Sequence, residues 1–152
     1  MDAIRRPSRA DMAAIGSIVE TTGMFPADML EDMMAPYFGG NEDELWFVIG
    51  ETARAVAYAV PERLTNRTWN QLLIAVDPAQ QGQGLGKALM RNLEATVAAR
   101  GGRLILVETS GVPDFEPTRT FYRAIGYTET ARIPDFYDDG DDKIVFTRKL
   151  AS

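Results

Sequence analysis

Hydrophobic and polar positions along this chain follow two periods, and each change of period marks an element. The clearest stretch is Leu85, Leu89, Leu93 and Val97, four apolar residues at spacing four. They predict a helix with one buried face that runs to about Arg100, where Gly101 and Gly102 stop it. Upstream, "AIRR" predicts a short first strand, and Ser8 with Asp11 has the pattern of a capping box opening a helix over about residues 9 to 21. Pro26 suits the start of a second helix, which continues to about Phe38 before Gly39-Gly40. Three strand-like runs follow, "ELWFVIG", "ARAVAYAV" and "TWNQLLIAV", and the short turn at Glu51-Thr52 makes the first two a hairpin. Beyond the long helix, "RLILVE" reads as a nearly continuous apolar strand from the middle of a sheet. Pro117 opens another helix that Gly126 ends, and "YTETARI" pairs with "DKIVFTRKL" around an Asp-rich loop. The predicted order is β-α-α-β-β-β-α-β-α-β-β, an α/β chain with a mixed sheet and helices on its faces.

Composition narrows the chemistry. A length of 152 residues fits one domain, 1–152, able to bury about two thirds of its unfolded surface. No apolar run approaches the roughly 18 residues of a membrane span, and "MDAIRRPSRADM" lacks the apolar core of a secretory signal. A cytoplasmic location with no membrane partner is therefore expected. The chain has neither cysteine nor histidine. Disulfides, thiolate nucleophiles and Cys/His zinc sites are excluded, and no metal is expected. Acids and bases must be Asp, Glu, Tyr, Lys, the terminal amine or water. A net charge of −6 argues against general nucleic-acid binding and leans toward small cationic partners.

The strand "TWNQLLIAV" leads into Gln81-Gly82-Gln83-Gly84-Leu85-Gly86-Lys87, three glycines at spacing two ahead of the long helix. A Walker A loop would need Gly at 81 and Ser or Thr at 88, where Gln81 and Ala88 stand. A Rossmann fingerprint needs G-x-G-x-x-G near the start of the fold, and here three strands have already passed. Both readings fail. What fits is Q-x-x-G-x-G at a helix N-terminus, where exposed N–H groups and the helix dipole favour an anion. Glycine lets backbone approach a pyrophosphate without a Cβ clash. Lys87 opposes the dipole yet suits a bound phosphate.

This motif, followed about 40 residues on by "FYRAIGY" (Phe121 to Tyr127), resembles the GNAT family of N-acetyltransferases. That family has a Q/R-x-x-G-x-G acetyl-CoA loop and a later F-Y-x-x-x-G-F/Y helix. The likeness covers nearly the whole chain, the first 45 residues least. It implies a mostly antiparallel sheet of about six or seven strands with a splay between strands 4 and 5. It also implies that Ile74, Ala75 and Val76 line the pantetheine of acetyl-CoA. Gln81, Gly82, Gln83, Gly84, Leu85, Gly86 and Lys87 would then surround the pyrophosphate. Splayed strands leave peptide groups that pantetheine amides can satisfy.

The implied activity is acetyl transfer to a primary amine, on a small molecule or a peptide N-terminus. Tyr122 matches the family's general acid. Its pKa near 10 lies above the roughly 8.5 of a thiol, so a neutral tyrosine can protonate a departing thiolate. With no cysteine to carry an acyl group, a sequential ternary complex is the natural mechanism. "DPAQQGQGLG", "LVETSG" and the acidic tail resemble the subgroup acting on ribosomal-protein alanines, whose base matches Glu108, with Glu62 as second choice. Phe115 stands where that subgroup has an Asn contacting CoA, and "SGVPDFEP" lengthens the spacing from Glu108 to Tyr122. A non-catalytic acetyl-CoA-sensing module is the alternative function, and dimers are common in such families.

Three features carry two readings each. Met12, Met24, Met29, Met33 and Met34 fall in the first two predicted helices as core filling or as an adaptable pocket wall. Trp46, Trp69 and Tyr58 read as core, or as pocket. "DFYDDGDD" is no EF-hand, since Tyr137 and Phe146 occupy ligand positions. It is a solvated hairpin tip or an acidic lip that attracts a cationic amine.

Overall fold

The structure, a computed structural model, describes residues 2–150. In chain order these form β1 (Ile4–Arg5), α1 (Met12–Thr21), α2 (Leu30–Phe38), β2 (Leu45–Ile49), β3 (Ala55–Pro61) and β4 (Thr68–Val76). Then come α3 (Leu85–Ala99), β5 (Leu104–Ser110), α4 (Glu116–Ala124), β6 (Thr128–Asp138) and β7 (Asp141–Lys149). The strands lie in the order β1-β2-β3-β4-β5-β7-β6, a seven-stranded sheet among the described residues. β1 with β2, β2 with β3, β5 with β7 and β6 with β7 are antiparallel, whereas β4 with β5 is parallel. The expected element order and mixed sheet are both present. Short 3-10 turns precede α1, α2 and α4; α1 and α2 begin a few residues later than the caps suggest, whereas α4 begins at Glu116, just before the expected Pro117. No described helix is long and apolar enough to cross a membrane.

The chain divides into two compact units, and β4 contributes to both. The first holds residues up to Val60 together with Leu72–Thr96. Its core follows from the two periods of the sequence. Alternate strand residues Trp46, Val48, Val56, Tyr58, Leu73 and Ala75 pack with Ile15, Ile18 and Val19 of α1 and Leu30 and Met34 of α2. Fully burying side chains of this size is worth about 1.5–3 kcal/mol each. Trp46 stacks on Tyr58 with centroids 4.0 Å apart, and the Tyr58 hydroxyl donates to the buried Glu44 carboxylate at 2.8 Å. Burial, followed by that carboxylate, pushes the Tyr58 pKa well above its ordinary value. Trp46, Trp69 and Tyr58 are all buried, as the core reading holds. The methionines divide: Met34 is buried and Met12 and Met33 pack against the core, but Met24 and Met29 are exposed. Met24 also lies beyond the end of α1 rather than within it.

The second unit holds Pro61–Gln71 and residues from Val97 onward. Here the parallel ladder joins Thr68–Gln71 to Leu104–Val107. β5 pairs with β7 along its whole length, from Leu104↔Lys149 to Ser110↔Lys143. The expected Asp-rich loop is mostly strand, because β6 runs on to Asp138 and β7 starts at Asp141. The aspartates make that extension possible. Asp142 accepts the Asp135 N–H at 2.9 Å, and Asp135 accepts the Gly140 N–H at 2.7 Å. Carboxylates thus satisfy backbone donors where the ladder shifts register between Ile133 and Asp138.

The entry to α1 is fixed by a bidentate ion pair. Arg5 donates to both oxygens of the buried Asp11 at 2.8 and 2.7 Å, and the Ser8 N–H donates to Asp11 at 2.8 Å. Hydrogen bonding from Arg5 is the main reason the Asp11 pKa is lowered. A depressed carboxylate pKa contributes stability above its unfolded value, and that contribution is lost as pH falls through the folded value. Asp11→Asn is expected to cost about 2 kcal/mol at pH 7. In urea unfolding at a series of pH values, the gap between variant and wild type should narrow below about pH 4.

Candidate active site

The glycine turn belongs to the first unit and is built by its own hydrogen bonds. Asp77 starts it: its carboxylate accepts the Ala79 N–H at 3.0 Å, and its carbonyl accepts the Gln80 N–H at 2.8 Å. Arg54 braces the segment from the β2–β3 turn. Its carbonyl accepts the Asp77 N–H at 2.9 Å, and its guanidinium donates to the Gln80 side chain at 3.0 Å. Gln83 donates to the same Gln80 oxygen at 3.2 Å, and Arg54 is itself paired with Asp2 at 2.6 Å. Between these anchors the chain reverses through Gly82 at φ +83° and Gly84 at φ +78°, and α3 begins at Leu85. A Cβ built on either glycine would meet no atom within 4 Å. Both therefore stand over open space, and the left-handed backbone is the local reason for glycine.

Gln81, Gly82, Gln83, Gly84 and Lys87 are exposed, while Leu85 and Gly86 are buried in the first turn of α3. That helix presents N–H groups that no preceding turn can use. Ile74, Ala75 and Val76 form the end of β4 that feeds this turn, with Ala75 buried and its neighbours half-buried. Residues 74–76 and 81–87 thus belong to one continuous strand–turn–helix. Bare backbone at open space, helix N–H groups and an exposed lysine fit a pyrophosphate.

Tyr122 and Glu108 belong to the second unit. Tyr122 lies on the buried side of α4, where its ring packs near Phe146, Phe121 and Tyr127. Burial alone pushes its pKa well above the ordinary tyrosine value. Its hydroxyl donates to Gln71 Oε1 at 3.2 Å in a buried hydrogen bond. Gln71 pairs with Val107, and that pair is the last rung of the parallel ladder, although β4 continues to Val76 and β5 to Ser110. Glu108, one residue past the rung, forms an ion pair with Lys143 at 2.9 Å. Lys143 also stands 4.1 Å from the centre of the exposed Phe136 ring. The pKa of neighbouring Tyr137 is raised by burial and then by the charges of Glu108 and Asp141. Glu62 accepts a hydrogen bond from Asn70 at 3.0 Å, and Phe115 is half-buried just before α4.

Two site residues were not singled out by the sequence reading. Gln71 had a legible signal, since it shares a strand face with Trp69, Leu73 and Ala75 and is a polar residue in an apolar series. Arg119 is buried and donates to the carbonyls of Ser110 at 2.6 Å and Val112 at 3.0 Å, which ties the end of β5 to α4. Its place one helical turn before Tyr122 is the corresponding signal.

Fold and sequence agree on the class. Residues 42–129 match the family model for the GNAT acetyltransferase domain. The chain is 31% identical to a protein from Desulfovibrio desulfuricans described as a GNAT-family acetyltransferase, over 99% of this chain and 100% of that one, with a TM-score of 0.91. It therefore belongs to the GNAT acetyltransferase family. The same fold is found in a ribosomal-protein alanine N-acetyltransferase from Escherichia coli, at 21% identity over 100% of this chain and 96% of that one, TM-score 0.79. It is found as well in yncA, an acetyltransferase from Salmonella typhimurium solved with its cofactor acetyl-CoA, at 20% identity over 99% and 94%, TM-score 0.77. No curated protein matches the chain in sequence.

The backbone of the turn gives a direct stability test. Because Gly84 has a left-handed φ, Gly84→Ala should destabilise the protein by about 1 kcal/mol even with open space around the added methyl. Calorimetry should show a melting temperature lower by about 2–4 °C.

Proposed function

We propose that the protein transfers the acetyl group of acetyl-CoA directly to a primary amine within a ternary complex. The observation that carries this reading is the position of the Tyr122 hydroxyl on Gln71, at the rung where the parallel ladder ends. The cofactor supplies a thioester acetyl group and a thiolate leaving group. Gln81, Gly82, Gln83, Gly84, Leu85, Gly86 and Lys87 hold its pyrophosphate through turn and helix N–H groups and the lysine charge. Backbone groups of Ile74, Ala75 and Val76 pair with its pantetheine arm as an added strand would.

Tyr122 holds at Oη the proton destined for the leaving sulfur. Glu108, fixed by Lys143, takes the proton of the attacking amine directly or through water. Asp138, Asp139 and Asp141, at and beside the exposed β6–β7 turn, provide an acidic lip that draws a cationic amine.

Release of CoA thiol across a panel of amines, amino acids and peptides tests the activity, and calorimetry with CoA tests the cradle. Tyr122→Phe should lower turnover about 100-fold or more while CoA affinity stays within about twofold. If Tyr122→Phe keeps wild-type turnover, the acid assignment fails. CoA binding with no thiol release for any amine favours a sensing module instead.

A further inference from the structure

We propose that Gln71 is a positioning residue for Tyr122 that uses both ends of its amide: Oε1 accepts a hydrogen bond from the hydroxyl before transfer, and Nε2 donates one to the phenolate oxygen after it. The inference rests on the reading of Tyr122 as the general acid. Gln71 and Tyr122 both belong to the second unit. Gln71 is only 3% exposed in a strand whose same-face neighbours Trp69, Leu73 and Ala75 are buried and apolar. A buried amide in such a strand is unfavourable unless hydrogen-bonded. Among the described residues its side chain has one partner, the Tyr122 hydroxyl. A leucine here would pack as Leu73 does but leave the buried Tyr122 hydroxyl without an acceptor, so the core explains the amide's oxygen and gives no reason for its N–H.

The chemistry supplies one. In the transfer step the amine nitrogen forms a bond to the acetyl carbon and the C–S bond breaks with its electron pair on sulfur; the O–H bond of Tyr122 breaks, its electron pair stays on Oη, and the proton forms the S–H bond. Solvent later returns a proton to Oη and receives the one Glu108 took from the amine, so the cycle is balanced. Burial makes Tyr122 a weaker acid than an exposed tyrosine, and that handicap must be offset for the proton to leave. An N–H aimed at the phenolate offsets it, since hydrogen bonds to charged groups are stronger than neutral ones. The terminal torsion of glutamine is soft and two-fold, so the amide reverses without moving β4.

The test is a set of Gln71 variants in the full-length protein, assayed at saturating amine and acetyl-CoA over a range of pH. Gln71→Met matches the length but neither donates nor accepts strongly. Gln71→Glu accepts but, as a carboxylate, cannot donate to the phenolate. We expect kcat to fall about 10- to 100-fold in Gln71→Met and further in Gln71→Glu, with the KM for acetyl-CoA within about twofold. The basic limb of the kcat profile should move to higher pH in Gln71→Met, because the phenolate has lost its donor. Adding Gln71→Met to Tyr122→Phe should change kcat no more than about twofold, since the amide acts through the hydroxyl. Wild-type kcat in Gln71→Glu overturns the donor role. So does a parallel loss of kcat and CoA affinity in both single variants, which marks a packing role. If Tyr122→Phe loses turnover and the Gln71 variants do not, only this inference fails. If Tyr122→Phe keeps turnover, the reading beneath it fails.

Discussion

The four-rung parallel ladder between β4 and β5 is the constraint on which the site depends. Parallel neighbours cannot be joined by a tight turn and need a long crossover. Here the crossover is the glycine turn and α3, so the element that makes the parallel pair possible is also the candidate cradle. The ladder stops at Gln71 and Val107 while both strands continue. β5 is not fraying at that point, since β7 holds its other edge through Ser110. The end of the ladder is therefore a built feature, and polar groups collect there: Gln71, the Tyr122 hydroxyl and, one residue on, Glu108.

The cradle is costly backbone kept in place by polar braces. Two left-handed glycines within three residues would leave the turn loosely defined if nothing anchored it. Asp77 closes its start, and the Arg54 guanidinium with its Asp2 partner joins Gln80 and Gln83 into one network. The exposed glycines then lie between a braced turn and a helix with a continuous buried face at Leu85, Leu89 and Leu93. Rigid support on both sides is what an anion site made of backbone N–H groups requires, because such groups bind through orientation rather than reach.

How far the sequence discloses this follows from which forces are local. The α3 stripe, the glycine stops and the strand alternation depend on a period, and they appear where the pattern puts them. The aspartates of the last hairpin misled, because composition marks a loop while their carboxylates serve backbone donors at the bulge in β6 and in the turn that follows it. Met24 misled similarly, since an apolar residue near a helix end carries no signal for which side of the boundary it occupies. Residues 81–87 and Tyr122 could be singled out as candidates because they fall in two motifs that resemble those of the family. Gln71 and Arg119 leave only a faint local trace, a polar residue in an apolar strand face and a place one turn before Tyr122, and Lys143 leaves none, because their partners stand 51, 9 and 35 positions away.

The proposed reaction, in a chain without histidine, divides proton transfer between groups whose environments pull in opposite directions. Tyr122 is buried among aromatic rings, and desolvation disfavours its phenolate, so at neutral pH it carries a proton that it can give but not one that it lacks. Glu108 is partly exposed and pairs with the Lys143 ammonium at 2.9 Å. In the proposed reaction the two therefore cannot exchange roles: the tyrosine would serve as acid and the carboxylate as base. The weak point of such a division is the acid, because the burial that keeps the tyrosine neutral also resists the charge it must bear after transfer. A polar side chain at the Tyr122 hydroxyl is the remedy open to a strand otherwise apolar on that face, and Gln71 is the polar residue that stands there.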